Sequence, residues 1–316
     1  MSAQPLVYIL LLNYRGASHT LACMDSLRQL AYLNFRIMVI DNASPDDSLS
    51  QLQNRLHTHP GEFQLIESKE NLGYSGGNNL GIQAAMKANP PEADAYIWLL
   101  NNDTTVDKNA LAQLVKEAQR TGGVAGSLLL YPDGRYQQVG TRINWWTGGT
   151  QGYPESAVRD GMSVETLSGA SMLIPFRALQ QAGLLDESFF LYFEDGEASL
   201  RYSKAGFPLT VATQSLVYHM EGATTGSKSL ATQYYFHRNR LRLLMRFANP
   251  LQKFTIQAYT LFRLWRVRLK CRIASKSAPE SKHMERKRSA QVQALAVQDF
   301  FHGVGGPCPH QLEDLK

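Results

Sequence analysis

The stretch AYIWLLNNDTTVD, residues 95–107, decides the fold. Its apolar half is unbroken from Ala95 to Leu100, whereas a strand with one wet face alternates apolar and polar side chains. The run therefore reads as a strand covered on both faces. It ends abruptly on Asn101, Asn102 and Asp103. A carboxylate just past a buried strand suits a hard cation, because the strand fixes the backbone and the loop exposes the oxygen. Asp103 can equally close a turn, a common use of Asp after a strand. Asp107 reads as the N-cap of a helix beginning at Lys108.

The same rhythm fills the N-terminal half. LVYILLLN (6–13), FRIMVID (35–41) and FQLIES (63–68) read as strands. Helical patterns follow each: one capped near Ser18 with Leu21, Met24, Leu27 and Leu30 on one face, one over Ser48–His57, and one over 77–88. Strands alternating with helices predict a mainly parallel sheet flanked by helices, in which ligands bind beyond the C-terminal strand ends. The polar signals fall there: Asn13-Tyr14, Asp41-Asn42, Asn71-Leu72-Gly73 and Asn101-Asn102-Asp103. From about residue 123 the rhythm changes. Pro132-Asp133-Gly134 marks a turn, TLSGASMLIP (166–175) a strand entering a helix at Pro175, and short strands are expected around 208–212 and 215–218.

The chain of 316 residues, 44% hydrophobic and 19% charged, has the composition of a globular protein with a sizeable core. No run approaches the roughly 18 apolar residues of a membrane span, and VYILLL (7–12) lacks the basic flank of a secretory signal. Cys23, Cys271 and Cys308 are far apart and form no CxxC pair. They point to a reducing compartment and away from a zinc site, so a cytoplasmic location is expected. The net charge of +5 is unevenly spread. Residues 236–290 carry 15 Lys and Arg against 2 Asp and Glu, while residues 1–235 carry 16 against 22.

Three further segments carry chemistry. FFLYFEDGEASLRYSKAGFPL (189–209) runs from aromatics into Glu194, Asp195 and Glu197, then reads as a helix stopping at Gly206. Acidic residues in a first turn serve the helix dipole, and one of them can also serve as a base. His219, in VYHMEGATTG, follows a strand; an Asp/His pair with open positions suits Mn²⁺ or Mg²⁺. NLGYSGGNNLGI (71–82) is rich in Gly and Asn, whose small size lets a ligand approach the backbone. Neither GxxxxGK[ST] nor GxGxxG occurs in the strand–helix turns.

Taken in order, LLLNYRG, VIDNASPDDS, ENLGYSGGNNLGI, WLLNNDTTVD, LSGASMLIP, GLLDESFFLYFEDGEASLRYSKAGF and VYHMEGATTG resemble the family 2 inverting glycosyltransferases with the GT-A fold. The likeness is to bacterial rhamnosyltransferase-like members, over roughly residues 6–245. It implies an α/β GT-A catalytic domain over 1–228 with a basic, mostly helical C-terminal extension over 229–316. It implies a nucleoside-diphosphate sugar donor, with UDP or dTDP as carrier, cradled by Asn13, Asp41, Asn71 and Asn102. NND matches the family's metal-binding DxD with Asn101 at the first acidic position, so Asp103 is carried over as a metal ligand, together with His219. Gly169 and Ala170 of SGA match the acceptor side. Asp195 matches the catalytic base, Glu194 is placed to orient an acceptor hydroxyl, and Glu197 stands where members commonly carry Asp. The acceptor implied is a glycan or lipid-linked hydroxyl in cell-surface polysaccharide synthesis.

Two rival functions follow from the same residues. Asn101 in place of an acid favours a non-catalytic nucleotide-sugar-binding or scaffolding module at the membrane. A sugar-phosphate nucleotidyltransferase wants a GxGTR-type loop, which NYRGAS is not. In 251–273, Leu261, Leu264, Trp265 and Leu269 recur at helical spacing between Arg263, Arg266, Arg268 and Lys270. That is the pattern of a helix in an anionic membrane interface, which places the protein on the inner face of the cell membrane. A helix packed on the catalytic domain is the alternative, and no motif accompanies the basic stretch that would indicate nucleic acid. SAPESKHMERKRS (277–289) reads as a polar hinge, and the tail around GVGGPCPH as irregular.

Overall fold

The computed structural model describes residues 4–89, 94–220, 229–274 and 280–312. They divide into two compact units, one within Met1–Arg142, Gly152–Glu187 and Glu194–Thr224, the other within Ile143–Gln151, Ser188–Phe193 and Thr225–Lys316.

The first unit opens with β1 (Leu6–Asn13), α1 (Ala17–Leu27), β2 (Phe35–Asp41), α2 (Ser48–Thr58), β3 (Gln64–Glu67), α3 (Gly73–Lys87) and β4 (Ala95–Asn101). β1 lies between β2 and β4, parallel to both, and β3 extends the parallel array. There follow in chain order β5 (Thr104–Val106), α4 (Ala110–Thr121), β6 (Val124–Leu130), β7 (Tyr136–Gln138), a separate ribbon of β8 (Thr141–Asn144) and β9 (Gly149–Gly152) whose residues 143–151 belong to the second unit, β10 (Ser171–Pro175), α5 (Phe176–Ala182), α6 (Glu194–Lys204) and β11 (Leu209–His219). The strand order is β3-β2-β1-β4-β10-β6-β11-β5, with β7 on β6. β10 runs against both β4 and β6, and β5 runs against β11.

The unbroken apolar runs are explained by two cores. Val7, Ile9 and Leu11 share one with Cys23, Met24 and Leu27 of α1. Tyr8 and Leu10 share the other with Ile82 and Ala85 of α3. Burying each such Leu or Ile stabilises the fold by about 1.5–3 kcal/mol. Trp98 is fully buried and donates from its indole nitrogen to Ser171 Oγ at 2.9 Å, so β4 and β10 are joined without an orphaned polar atom.

Several boundaries differ from the sequence reading. α1 begins at Ala17 with Gly16 at its cap, and Thr20 bonds back to Gly16 O where Ser18 was expected to cap. α3 begins at Gly73, a full turn before residue 77, so the Gly-rich run lies inside the helix. Two of its glycines face the sheet: a Cβ on Gly77 meets Leu12 Cδ1 at 2.4 Å, and one on Gly81 meets Ile40 Cδ1 at 2.9 Å. These two serve close helix–sheet packing. Asn109 occupies the cap of α4, while Asp107 accepts from the Asn109 N–H in a turn before it. Residues 166–170 precede β10 instead of belonging to it, and the two strands expected at 208–218 are the single strand β11, bulged between Ala212 and Leu216.

The second unit carries α7 (Leu230–Phe247), α8 (Pro250–Ala274) and α9 (Glu280–Phe301). Residues 280–289 of the expected hinge are helical; 277–279 lie outside the described residues. Tyr234 and Tyr235 of α7 pack with Val292 and Ala296 of α9. The buried Arg238 guanidinium lies 5.2 Å from both tyrosine rings and donates to Gly306 O at 2.7 Å. Among the described residues no helix is long and apolar enough to cross a membrane.

Candidate active site

Register places the polar residues at one level. Asn13 is the Cα partner of Asp41, and Leu12 that of Asn101, so β1, β2 and β4 end together. Arg15 and Ala43, just beyond β1 and β2, adopt left-handed φ values of 56°. Such strain in non-glycine residues marks backbone held by its surroundings, often at a functional site.

A buried polar chain links these ends. Asn13 Nδ2 donates to Asp41 Oδ1 at 2.8 Å, and Thr20 Oγ1 donates to Asn13 Oδ1 at 2.9 Å. Asn102 Nδ2 donates to Thr20 Oγ1 at 2.9 Å. Ser44 ties back to Asp41 through both its N–H and its hydroxyl. Asn71, exposed at the start of its loop, accepts from Asn42 Nδ2 at 3.0 Å and from Gly73 N at 2.9 Å. Asn13, Asp41 and Asn102 thus form one network, with Asn71 joined to the neighbouring Asn42.

The NND loop is set by β5. Thr104 pairs with His219, and Met220 N donates to Asp103 O, so the Asp103 and His219 side chains meet. His219 Nε2 lies 3.3 Å from Asp103 Oδ1, and both side chains are mostly buried. Nδ1 is 3.1 Å from Gln137 Oε1. Nε2 faces Asn101 Nδ2 at 3.4 Å as well as Asp103 Oδ1. An imidazole nitrogen and a carboxylate oxygen side by side are both able to turn a lone pair to a divalent cation. Among the described residues no cluster of three His, Cys, Asp or Glu side chains forms a complete metal cage. A divalent ion held by Asp103 and His219 would keep open positions for other oxygens.

Asn101 N donates to Ala170 O at 3.1 Å, which sets SGA beside the NND loop. Gly169 N donates to Asp195 Oδ2 at 2.9 Å, and Gly196 N donates to Asp195 Oδ1 at 2.7 Å. Tyr74, not singled out by the sequence, donates to Gly169 O at 2.7 Å. Burial raises its phenol well above its ordinary value, with the charges of Glu194, Asp195 and Asp103 adding in that order. Gly169 thus joins Tyr74 to Asp195, and Ala170 joins the same segment to Asn101 of the NND loop.

Glu194 and Asp195 divide one task. Burial first, and the neighbouring Asp195 second, push the Glu194 carboxyl up to about 8. Its Oε2 is buried without a hydrogen-bond partner. Burial also raises Asp195, but the Gly169 and Gly196 N–H groups pull it back toward ionisation. The two amides favour the ionised form of Asp195, whereas nothing bonded to Glu194 Oε2 does so for Glu194. Glu197 is fully buried and paired with Arg201 at 2.9 Å; Arg201 also donates to the carbonyls of Ala182, Gly183 and Leu184. Glu197 is a structural anchor for α6.

Comparison with known proteins now adds its part. Residues 8–182 match the family described as Glycosyl transferase family 2. The chain belongs to that family. This family 2 glycosyltransferase is 25% identical over 243 residues to an N-acetylglucosaminyl-diphospho-decaprenol L-rhamnosyltransferase of Mycobacterium tuberculosis, spanning 69% of this chain and 77% of that protein. Among solved structures it is similar to GalNAc-T7 with UDP, GalNAc and Mn²⁺, at a TM-score of 0.63 and 14% identity over 96% of this chain and 59% of that one. It is also similar to the mannosyltransferase PcManGT from Pyrobaculum calidifontis in complex with GDP-Man and Mn²⁺, at a TM-score of 0.59 and 13% identity over 95% and 88%. The architecture these share is the GT-A fold, as the sequence resemblance implied.

Proposed function

We propose that this protein is a metal-dependent inverting glycosyltransferase. It moves a sugar, rhamnose by analogy with its mycobacterial relative, from a UDP or dTDP donor to a hydroxyl of a glycan or lipid-linked acceptor. The observation that carries the reading is the Asp195 carboxylate, held by the Gly169 and Gly196 amides, in a segment whose Ala170 carbonyl accepts from Asn101 of the NND loop.

Asn13, Asp41, Asn71 and Asn102 bind the nucleotide portion. Asp103 and His219 would hold a divalent ion, Mn²⁺ or Mg²⁺, which when bound would supply positive charge to the diphosphate leaving group. Gly169 and Ala170 seat the acceptor, and the protonated Glu194 donates a hydrogen bond that orients its hydroxyl. Asp195 takes the hydroxyl proton as the oxygen bonds to the anomeric carbon and the bond to the diphosphate breaks. Attack on the face opposite the leaving group inverts the anomeric centre. Residues 1–228 are the catalytic domain and 229–316 the basic extension. The extension's charge and the relative's diphospho-decaprenol substrate support a peripheral site of action on the inner face of the cell membrane.

The test is a panel of activated sugars incubated with Mn²⁺ and candidate acceptors, following free nucleoside diphosphate and the anomeric configuration of the product by NMR. Diphosphate release with an inverted product is expected. A binding module releases none, and a product of retained configuration overturns the single-displacement mechanism.

A further inference from the structure

α8 is amphipathic the wrong way round for a helix in a protein core. Leu251, Phe254, Leu261, Phe262, Trp265 and Leu269 are 40–69% exposed. At 100° per residue they fall in one stripe, running about 27 Å along the axis. Ile256 and Thr260, on the opposite side, are buried. An apolar face of this size left in water marks an interaction surface. Its charge says which one: Pro250–Ala274 contains Lys253, Arg263, Arg266, Arg268, Lys270 and Arg272 and no acidic residue.

The flank between the stripe and the buried side carries a second feature. Arg266 lies over the Phe262 ring at 5.7 Å at the stripe's edge, and Arg263 falls about 60° further round the helix, toward the buried Ile256. Arg240 of α7 lies beside Arg263 on this flank. It is 5% exposed, its Nε has no hydrogen-bond partner, and none of the ion pairs among the described residues includes it. Its electrostatic neighbours are Arg263 and Tyr259; burial and Arg263 pull it down to about 10. His237, beside them, is pulled down to about 4 by burial, Arg240 and Arg263. Cations gathered and desolvated without a carboxylate leave a place for an anion.

We propose that α8 lies in the headgroup layer of an anionic membrane with its apolar stripe facing the acyl chains, and that Arg240 and Arg263, on the flank between the stripe and the buried side, clasp one lipid phosphate. The proposal rests on the membrane reading above and deepens it. The helix rests on the bilayer and does not span it, because its basic residues recur too often for a span. Trp265, Phe262 and Tyr259 are side chains suited to the interface.

The experiment is cosedimentation of the full chain with phosphatidylcholine vesicles containing about 30% phosphatidylglycerol, against pure phosphatidylcholine vesicles. Gel filtration of each variant and thermal unfolding with and without inorganic phosphate accompany it. Wild type is expected to bind the anionic vesicles at least roughly tenfold better than the neutral ones. The double variant Phe262→Ser/Trp265→Ser loses binding at least roughly tenfold. Arg263→Gln, at an exposed position where folding is not at issue, loses roughly fivefold, and Arg240→Gln loses a similar factor. Donor turnover on a short soluble acceptor stays unchanged in all of them. Wild type left in the supernatant, or full binding by the stripe variant, overturns the membrane reading and this proposal with it. Loss in the stripe variant alone, with Arg263→Gln and Arg240→Gln binding as wild type, overturns only the phosphate clasp. Stabilisation by inorganic phosphate without vesicle binding, or a dimer that the stripe variant dissociates, assigns the face to free phosphate or to a second copy and overturns the lipid assignment.

Discussion

Nε2 of His219 and Oδ1 of Asp103 face each other across 3.3 Å, with the far side of the imidazole set against Gln137. β5 and β11 make this meeting, since neither residue reaches the other without the Thr104–His219 register. The pair predicts that Asp103→Ala weakens donor binding in Mn²⁺ by roughly 10- to 100-fold, the range typical of disturbed metal sites. Calorimetric titration with and without Mn²⁺ measures it. An affinity that ignores both the metal and the substitution contradicts the assignment.

Glu194 predicts a pH dependence. Its carboxyl is raised from 4.5 to about 8, chiefly by burial. A raised group stabilises the fold fully below its unfolded value and loses that contribution as pH climbs through its folded value. Wild-type melting temperature therefore falls between about pH 5 and 9. Glu194→Gln flattens the profile and melts higher than wild type at the alkaline end. Identical profiles for the two proteins remove the buried proton from the account.

Gly169 has no room for a side chain: a Cβ there stands 3.1 Å from the Tyr74 hydroxyl and 3.3 Å from Asp195 Cβ. Gly169→Ala displaces the carboxylate by a fraction of an ångström and lowers kcat roughly tenfold or more, since small misplacements of a catalytic group are costly. The melting temperature moves by only a few degrees. Turnover within about twofold of wild type contradicts the positioning role.

In the second unit, the buried Asn239 amide donates to the carbonyls of Phe189, Leu191 and Tyr192. These flank Phe190, Tyr192 and Phe193, all at left-handed φ between 62° and 70°. Asn239→Ala removes this shared donor, leaving Phe189 O with its Leu191 N–H at 2.7 Å, and costs about 2–4 kcal/mol, read as a lower denaturant midpoint. A change below about 0.5 kcal/mol shows that the loop holds itself.

The β1–β4 half of the sheet was legible because a strand buried on both faces leaves an uninterrupted apolar run, and Asn13, Asp41 and Asn101 stand where those runs stop. Pairings that join distant segments left no such trace. The antiparallel insertion of β10 between β4 and β6 depends on Trp98 meeting Ser171, which spacing does not reveal. Tyr74 lay within a quoted motif but looked like an ordinary helix residue, and its value depends on Gly169, 95 positions away. Gln137 gave no signal at all in a polar turn region. That Gly77 and Gly81 of the Gly-rich run pack on the sheet was not legible, because glycine serves close packing as readily as ligand approach.

The most direct test of the catalytic account is the turnover of Asp195→Asn beside its donor affinity. The amide keeps the shape that Gly169 and Gly196 hold but cannot take a proton from an acceptor hydroxyl. Donor binding within about twofold of wild type, with turnover reduced about a hundredfold or more, is the predicted result. Turnover within about threefold of wild type contradicts it, because the proton must then leave by another group.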